Sequence, residues 1–415
     1  MKNLKKAITT GVSIVIGLTV FTSPIMAKNL KHHRNGPQKA KNIIFMVPDG
    51  QGLSNVTAAR IFKNGPDGDP LFQETLDTIG YQRTHSANST VTDSAAAASA
   101  WAVGEKFVNG EISCHGGEND ECVDVAPTIL ELAEIMGKAT GLVATSQISH
   151  ATPAAFGAHV FSRGCGLEIA RQYIEDAGVD VILGGGVYHA NPSPECAVYT
   201  ESYGAADGRQ FIIDLAQANG YSYVADKESM NNTSAMKKSR KILGMFEQNS
   251  IGGGKSVEMF RVDPSVDFPE GEPTLAEMTS AALDILEKDK DGLFLMVEGS
   301  QVDWEDHANR LKGQIAESLG FDEAVKVVLD WVDEKPSRKN DTLIIVVADH
   351  DTGGFAVNGP YGSLSEAGEI VEDGWTSGDH TAVDTIIYSQ GPGSENLGKA
   401  LDNTDLYYVM EEVLR

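Results

Sequence analysis

Carboxylate and imidazole side chains follow four short apolar runs of the chain, each near the point where the run ends. The runs and the residues after them are 43–47 with Asp49, 141–145 with His150 and Thr152, 293–297 with Glu298, Asp303 and His307, and 343–348 with Asp349 and His350. A further histidine, His380, lies in a later polar segment. Mixtures of aspartate and histidine suit zinc. These residue types predict a site for several divalent metal ions and an anionic substrate.

Each of these residues also has an ordinary structural explanation. Asp49 or Glu298 could cap the helix after its strand, because carboxylates often accept hydrogen bonds from helix N-termini. Thr152, which precedes a proline, has the pattern of a helix N-cap. Asp303 and His307 are spaced i,i+4, so they could form a simple surface pair on one helix face. Taken one at a time, the residues are better explained by such roles.

The convergence of the strand ends favours the metal site instead. Parallel strands place their carboxyl ends at one edge of a sheet, and α/β proteins bind ligands there. Burying this many carboxylates together without cations would cost several kcal/mol per charge. Divalent metal ions would remove that cost.

The elements that must position these residues alternate along the chain. The four runs, and a fifth at 179–183, are apolar almost throughout, as in strands buried on both faces. Helical periodicity occurs between runs, over 127–137, 275–287 and 322–333. The alternation predicts an α/β fold, a three-layer sandwich with a mostly parallel central sheet and helices on both faces.

The stretch Thr92-Asp93-Ser94 precedes a run of four alanines and predicts the start of a helix. Ser94 could be an N-cap alone, or a nucleophile held at the positive end of the helix dipole. Nothing within the stretch separates these roles. The metal-binding residues elsewhere favour the nucleophile, because cations at the helix end would activate its hydroxyl.

Residues 1–27 have the pattern of a secretory signal peptide. Lys2, Lys5 and Lys6 precede a mostly apolar run, and a region of small residues ends at Ala27. The run is short for a membrane span, and an uncleaved anchor is the alternative. The pattern predicts a periplasmic or secreted protein without a stable membrane span.

The remaining chain is predicted to form one domain. Residues 28–40 are basic and polar, which is typical of a flexible leader. Residues 41–415 would form a single catalytic domain, with irregular surface excursions within 186–274 and 357–376. The segment 186–274 is rich in Gly, Pro, Ser and Asn and has only weak periodicity.

The four cysteines predict two disulfides, because they are even in number and the chain has an export signal. Sequence proximity favours Cys114–Cys122 and Cys165–Cys196, although three pairings exist. A zinc-thiolate site is less favoured, since the chain contains no Cys-x-x-Cys.

The formal net charge of −26 argues against a nucleic-acid partner. It would also repel an anionic substrate unless local cations reverse the field.

Five motifs occur in order along the chain. They are Val47-Pro-Asp-Gly-Gln-Gly52, Thr92-Asp-Ser-Ala-Ala96, Ser149-His-Ala-Thr-Pro-Ala-Ala155 with Ser162-Arg163, Val297-Glu-Gly-Ser-Gln-Val-Asp-Trp-Glu-Asp-His307, and Ala348-Asp-His-Asp-Thr-Gly-Gly354 with His380-Thr381. Together they resemble the alkaline phosphatase family, over roughly residues 41–413. The resemblance implies an enzyme that hydrolyses phosphate monoesters through a phosphoserine on Ser94.

The resemblance also implies two zinc ions and one magnesium ion. Arg163 would bind two phosphate oxygens through its planar fork, and Asp93 would orient it. The implied metal ligands are Asp303, His307 and His380 for the first zinc, Asp49, Asp349, His350 and the Ser94 hydroxyl for the second, and Asp49, Thr152 and Glu298 for magnesium.

Two positions depart from the best-known enteric member of the family, which has Asp and Lys where this chain has His150 and Trp304. The His/Trp combination resembles other bacterial members. We expect both residues in the substrate-binding region. His150 would contact the third metal through water rather than bind it. The absence of the lysine would ease product release at the expense of phosphate affinity.

The alternatives are a phosphodiesterase or another hydrolase of the same superfamily, and a non-catalytic phosphate- or metal-binding protein. Arg163 favours monoesters, because the superfamily's nucleotide phosphodiesterases usually lack a phosphate-binding arginine. Ser94 argues against a binding protein, which needs no nucleophile. Family members are often dimers, so a homodimer is a further expectation.

Overall fold

The structure is a computed structural model. It describes residues 39–117, 121–123, 125–187, 196–200, 208–232, 238–246, 262–263, 266 and 268–415. The signal peptide predicted at 1–27, and the leader predicted at 28–40 except its last two residues, lie outside this part. Within the described residues, no helix combines the length and apolar character needed to cross a membrane.

The strands of the described residues are β1 (Asn42–Pro48), β2 (Thr78–Arg83), β3 (His115–Gly116), β4 (Cys122–Val123), β5 (Ala139–Gln147), β6 (Val181–Gly185), β7 (Ser222–Val224), β8 (Ile242–Met245), β9 (Leu293–Gly299), β10 (Thr342–Val347), β11 (Asp351–Thr352), β12 (Ala356–Gly359), β13 (Glu372–Gly374), β14 (His380–Thr381), β15 (Thr385–Gln390) and β16 (Ala400–Asp402). Ten of them form the central sheet, in the order β16-β2-β15-β10-β1-β9-β5-β6-β8-β7. Among these ten only β15 runs antiparallel to its neighbours, β10 and β2, and the other pairings are parallel. The predicted mostly parallel sheet is therefore confirmed.

The side chains of the central strands alternate between two hydrophobic cores. In β1, Ile43, Phe45 and Val47 pack on one face of the sheet, and Ile44 and Met46 pack on the other. Successive residues of a strand point to opposite faces. The strand is apolar throughout because helices cover both faces.

Helices form the two outer layers. The helices of the described residues are α1 (Leu53–Asn64), α2 (Ser94–Val103), α3 (Ile129–Ile135), α4 (Ala151–Gly157), α5 (Gly166–Glu175), α6 (Ala197–Thr200), α7 (Gly208–Ala218), α8 (Lys227–Met230), α9 (Leu275–Leu286), α10 (Gln301–His307), α11 (Leu311–Asp333), α12 (Pro336–Asp341) and α13 (Asn403–Leu414). On the Phe45 face lie α2, α3, α4, α5, α7 and α13, and on the opposite face lie α9 and the second half of α11. The three-layer sandwich is thus confirmed.

Two regions are more regular than the sequence pattern predicts. The helix expected at 322–333 begins at Leu311. The sequence pattern missed its first half because Gly313 and buried polar residues such as Gln314 interrupt the apolar periodicity there. Within 186–274, β7 and β8 extend the central sheet and α7 packs on it. Strands of three and four residues are too short to show a period.

Both favoured disulfides form. Cys114 pairs with Cys122, and Cys165 pairs with Cys196. The described residues contain no free cysteine. The zinc-thiolate alternative is therefore wrong.

Candidate active site

Four neighbouring strands bring predicted ligands to one edge of the sheet. β10, β1, β9 and β5 are adjacent and parallel, so the residues at their carboxyl ends lie together. Asp49 follows β1, Asp349 and His350 follow β10, and Glu298 is the penultimate residue of β9. All four side chains are completely buried. We refer to this region as the carboxyl edge.

Asp49, Asp349 and His350 are the protein ligands that the resemblance implies for the second zinc ion, and we call them the second ligand group. His350 Nε2 lies 3.0 Å from Asp349 Oδ2 and 3.7 Å from Asp49 Oδ1. Asp349 Oδ1 accepts the N–H groups of Gly50 and His350, at 3.1 and 3.0 Å. One ligand atom from each residue lies within 4.8 Å of the others. The group therefore has the dimensions of a metal site.

The first ligand group consists of Asp303, His307 and His380. α10 places Asp303 and His307 one turn apart, with His307 Nε2 3.3 Å from Asp303 Oδ2. His380 Nε2 lies 3.2 Å from His307 Nε2 and 3.5 Å from Asp303 Oδ1. The His350 ring stacks on His380 with centroids 3.5 Å apart. The two ligand groups are thus in direct contact.

Backbone carbonyls orient two of the imidazoles. His307 Nδ1 lies 2.7 Å from the Gly378 carbonyl oxygen, and His380 Nδ1 lies 2.9 Å from that of Thr92. A carbonyl can only accept, so each Nδ1 donates its proton. Nε2 is then the nitrogen that can bind a metal. Metal-binding histidines ordinarily donate their other ring N–H to a partner such as a backbone carbonyl.

Buried oxygens without partners mark a third cluster, formed by Asp49, Thr152 and Glu298. Both Asp49 carboxylate oxygens, Thr152 Oγ1 and Glu298 Oε1 make no hydrogen bond in the described structure. The Asp49 and Thr152 side chains are close enough to Glu298 to lower its pKa, and Glu298 Oε2 accepts from Ser146 Oγ at 3.3 Å. Such oxygens are costly to bury unless something binds them. An oxygen-only set suits magnesium, so the residues fit that cation.

Burial and mutual repulsion raise the pKa values of two acids at the carboxyl edge, Asp49 and Glu298. Burial, and next the carboxylates of Asp349 and Asp303, hold the pKa of Asp49 well above its usual range. Burial raises the pKa of Glu298 to about 7. Within the described residues, the ion-pair partners of Asp49, Asp303 and Asp349 are histidines, not Lys or Arg. Divalent cations would relieve this repulsion.

Ser94 is the first residue of α2, and the helix cap is Asp93. Asp93 Oδ1 accepts the Ala96 N–H at 3.0 Å, so the N-cap role considered for Ser94 belongs to its neighbour. Ser94 is 3% exposed, and its Oγ lies 3.2 Å from His350 Nε2. The serine hydroxyl therefore lies at the positive end of a buried helix and beside the second ligand group.

Arg163 lies between Asp93 and His150. Its Nη1 donates to Asp93 Oδ2 at 3.0 Å, and its Nη2 lies 3.3 Å from His150 Nε2. Burial, and next the Arg163 charge, lower the pKa of His150 to about 3, so the neutral imidazole accepts this hydrogen bond. The Trp304 ring meets His150 edge-on, with centroids 6.1 Å apart. A guanidinium is thus fixed beside the serine helix.

The helix-capping roles weighed for Asp49, Glu298 and Thr152 are wrong, whereas Asp303 and His307 do form the i,i+4 pair weighed for them. The N-cap of α1 is Gly52 rather than Asp49, and Glu298 lies inside β9. The N-cap of α4 is His150, so Thr152 lies within the helix. These side chains are available for the clusters described above.

Thr352 was not among the predicted site residues. Its buried Oγ1 lies 2.6 Å from Asp303 Oδ1 and 3.2 Å from His350 Nδ1. The one available signal was its place two residues after His350 in the same motif.

Buried carboxylates and an imidazole lie at the carboxyl ends of parallel strands, and a helix-borne serine and an arginine lie beside them. This arrangement is that of an α/β metallohydrolase. The chain belongs to the alkaline phosphatase family, whose model matches residues 40–369. It is therefore an enzyme, a metal-dependent phosphatase.

Three relatives illustrate the likeness. The alkaline phosphatase of Escherichia coli is 33% identical over 422 residues, which cover 90% of this chain and 86% of that protein. The alkaline phosphatase of the Antarctic bacterium TAB5 has a TM-score of 0.72 at 27% identity, covering 91% of this chain and 98% of that one. A histidine-to-aspartate variant of the TAB5 enzyme, with Mg bound in the M3 site, has a TM-score of 0.71 at 26% identity, covering 91% and 99%.

Proposed function

We propose that this protein is an exported phosphomonoesterase that works through a phosphoserine on Ser94, with two zinc ions and one magnesium ion. The observation that carries the proposal is the position of Ser94 Oγ, at the N-terminus of a buried helix and 3.2 Å from His350 Nε2. Arg163 is bound to Asp93, the residue directly before the nucleophile. Nucleophile, metal ligands and phosphate-binding cation thus belong to one site.

The donor sets assign the metals. The first ligand group and the second ligand group, each with aspartate and histidine, would each hold a zinc ion. The oxygen-only cluster of Asp49, Thr152 and Glu298 would hold magnesium, as magnesium in the M3 site of the TAB5 variant supports. When bound, these cations supply positive charge that favours the alkoxide of Ser94 and of the leaving group.

The chain's own residues perform the remaining steps. Arg163 has five N–H donors, of which Asp93 and His150 each engage one, and the others would bind phosphate oxygens. Ser94 Oγ attacks phosphorus, the Oγ–P bond forms, and the bond from phosphorus to the ester oxygen breaks as the alcohol leaves with a proton. Water then attacks the phosphoserine, which releases inorganic phosphate and restores the serine.

Location, substrate range and oligomeric state complete the proposal. The two disulfides support a periplasmic or secreted location, because disulfides persist in oxidising compartments. In this scheme Arg163 and the metals recognise the phosphate and its ester oxygen but no other part of the alcohol, which favours broad specificity among phosphate monoesters. We also infer a homodimer from the resemblance, and size-exclusion chromatography with light scattering tests it.

Hydrolysis of p-nitrophenyl phosphate tests the proposed function. We expect continuous phosphate release that chelator abolishes, that zinc with magnesium restores, and that the Ser94→Ala variant lacks. The matched substrate bis(p-nitrophenyl) phosphate should be hydrolysed far more slowly. Faster release from the diester would assign a phosphodiesterase, and stoichiometric phosphate uptake without turnover would assign a binding protein.

A further inference from the structure

One buried hydroxyl connects the two ligand groups. Thr352 Oγ1 donates to Asp303 Oδ1 at 2.6 Å and lies 3.2 Å from His350 Nδ1. A hydroxyl has one proton, and here the carboxylate accepts it. The His350 imidazole must therefore donate to Thr352. The resulting chain runs from His350 in the second ligand group through Thr352 to Asp303 in the first.

His350 differs in this respect from the other two imidazoles. His307 and His380 are oriented by carbonyl oxygens of the backbone, which are present whatever the side chains do. His350 is oriented by a side chain whose own orientation depends on Asp303. The direction in which its Nε2 points is thus tied to a residue of the other group.

The surroundings hold Thr352 in this position. Its side chain is completely buried, and its N–H donates to the Gly50 carbonyl at 3.0 Å. A Cβ atom at residue 50 would lie 2.8 Å from Thr352 Oγ1, so glycine at that position leaves room for the hydroxyl. The backbone between β1 and α1 therefore packs directly on the connecting hydroxyl.

We propose that Thr352 is a positioning residue that couples the two cation sites. Binding of a cation to Asp303 in the first ligand group fixes the acceptor of the Thr352 hydroxyl. Thr352 in turn holds His350 with Nε2 directed into the second ligand group, so that the two sites fill together. This inference rests on the proposed metal-dependent function.

Zinc titration of the metal-stripped full chain tests the coupling by isothermal calorimetry without any substrate. The wild-type protein should bind two Zn²⁺ in one steep transition. Thr352→Val keeps the shape but removes the hydroxyl, and it should separate the transition into two steps. We expect the weaker step to lose about 10- to 100-fold in affinity, the usual effect of removing a second partner of a metal ligand.

Two further variants distinguish the effect of losing the Thr352 hydroxyl from a general effect on packing. Thr352→Ser keeps the hydroxyl and should restore the single transition. Thr279→Val removes another fully buried threonine hydroxyl, which donates to the Leu275 carbonyl within α9, and should titrate like the wild type. Unchanged binding by Thr352→Val, failure of Thr352→Ser to restore it, or an equal loss in Thr279→Val would each overturn the proposal.

Failure of this inference is distinguishable from failure of the proposed function. A two-step titration of Thr352→Val in a protein that releases no phosphate would overturn the function alone. An active phosphatase in which Thr352→Val binds zinc like the wild type would overturn the coupling alone.

Discussion

The two edges of the central sheet differ in the partners that their buried charged side chains have. At the amino edge, where the strands begin, Lys138 Nζ donates to the carbonyls of Lys41 and Asp291, at 2.8 and 2.7 Å. Arg338 there forms an ion pair with Glu287. At the carboxyl edge, buried aspartates have only histidines as ion-pair partners within the described residues. At the amino edge the polypeptide itself supplies acceptors for the buried cationic groups, whereas the carboxyl edge is the proposed site for cations from solution.

Removing Ser94, the proposed nucleophile, should have the largest effect on activity, and this effect should be confined to the carboxyl edge. We expect Ser94→Ala to lower kcat for p-nitrophenyl phosphate by about 10⁴-fold or more, because no phosphoserine can form. The matched control is Ser99→Ala in the same helix, whose hydroxyl accepts the Ser113 N–H at 2.8 Å. That variant should lose about 1–3 kcal/mol of stability but keep its kcat. Comparable activity in the two variants would contradict the assignment of Ser94.

Removing metal ions should destabilise the carboxyl edge without altering the amino edge. Chelation leaves the acids around Asp49 and Asp349 uncompensated, so we expect the free energy of unfolding to fall by about 4 kcal/mol, as for loss of a ligand present at a thousandfold its Kd. Differential scanning calorimetry with and without chelator measures the change. A melting temperature that does not respond to chelator would show that the carboxyl edge needs no cation.

Breaking the Arg338–Glu287 pair should have the converse effect at the amino edge. Arg338 is 6% exposed and also donates to the Trp331 carbonyl at 2.5 Å, so its removal takes one donor from that carbonyl and one ion-pair partner from Glu287. We expect Arg338→Ala to lower the free energy of unfolding by about 2 kcal/mol, since Glu287 is partly exposed, with kcat/KM unchanged.

Lys339→Ala is the control for that variant. Lys339 pairs with Asp333 at 2.8 Å, but both side chains are more than half exposed, so we expect its removal to alter stability by less than about 0.5 kcal/mol. Urea denaturation measures both variants. A loss of activity in Arg338→Ala at temperatures where it stays folded would show that the two edges are not independent.

The smallest expected effect is a pH dependence at the amino edge. Burial raises the pKa of Glu134 from 4.5 to about 7, so the folded state binds a proton that the unfolded state releases. The associated stability is present below pH 4.5 and lost as the pH rises to about 7. Glu134→Gln should flatten this dependence by about 1 kcal/mol, allowing for partial exposure. Urea denaturation at pH 5 and pH 8 measures it, and exposed Glu366→Gln should retain the wild-type slope.

The carboxyl edge is far more predictable from sequence than the amino edge. Strands such as β1 are buried on both faces and therefore appear as continuous apolar runs, and Asp49 and His350 stand directly after them. The amino edge depends on pairs such as Arg338 and Glu287, which are 51 residues apart and carry no motif. Thr352 could not be assigned because its role depends on which two side chains the fold brings to one hydroxyl.

The two oxygens of Asp93 have separate tasks, and this constrains how the enzyme can evolve. Oδ1 caps α2 through the Ala96 N–H, and Oδ2 holds Arg163. If Arg163 binds phosphate as proposed, a mutation at Asp93 that changes phosphate affinity also alters the start of the helix that carries Ser94, the proposed nucleophile. In a library randomised at residue 93, we therefore expect altered affinity to be inherited together with altered thermal tolerance. Directed evolution of affinity alone would proceed more freely at His150, which contacts the same guanidinium but makes no side-chain cap for α4.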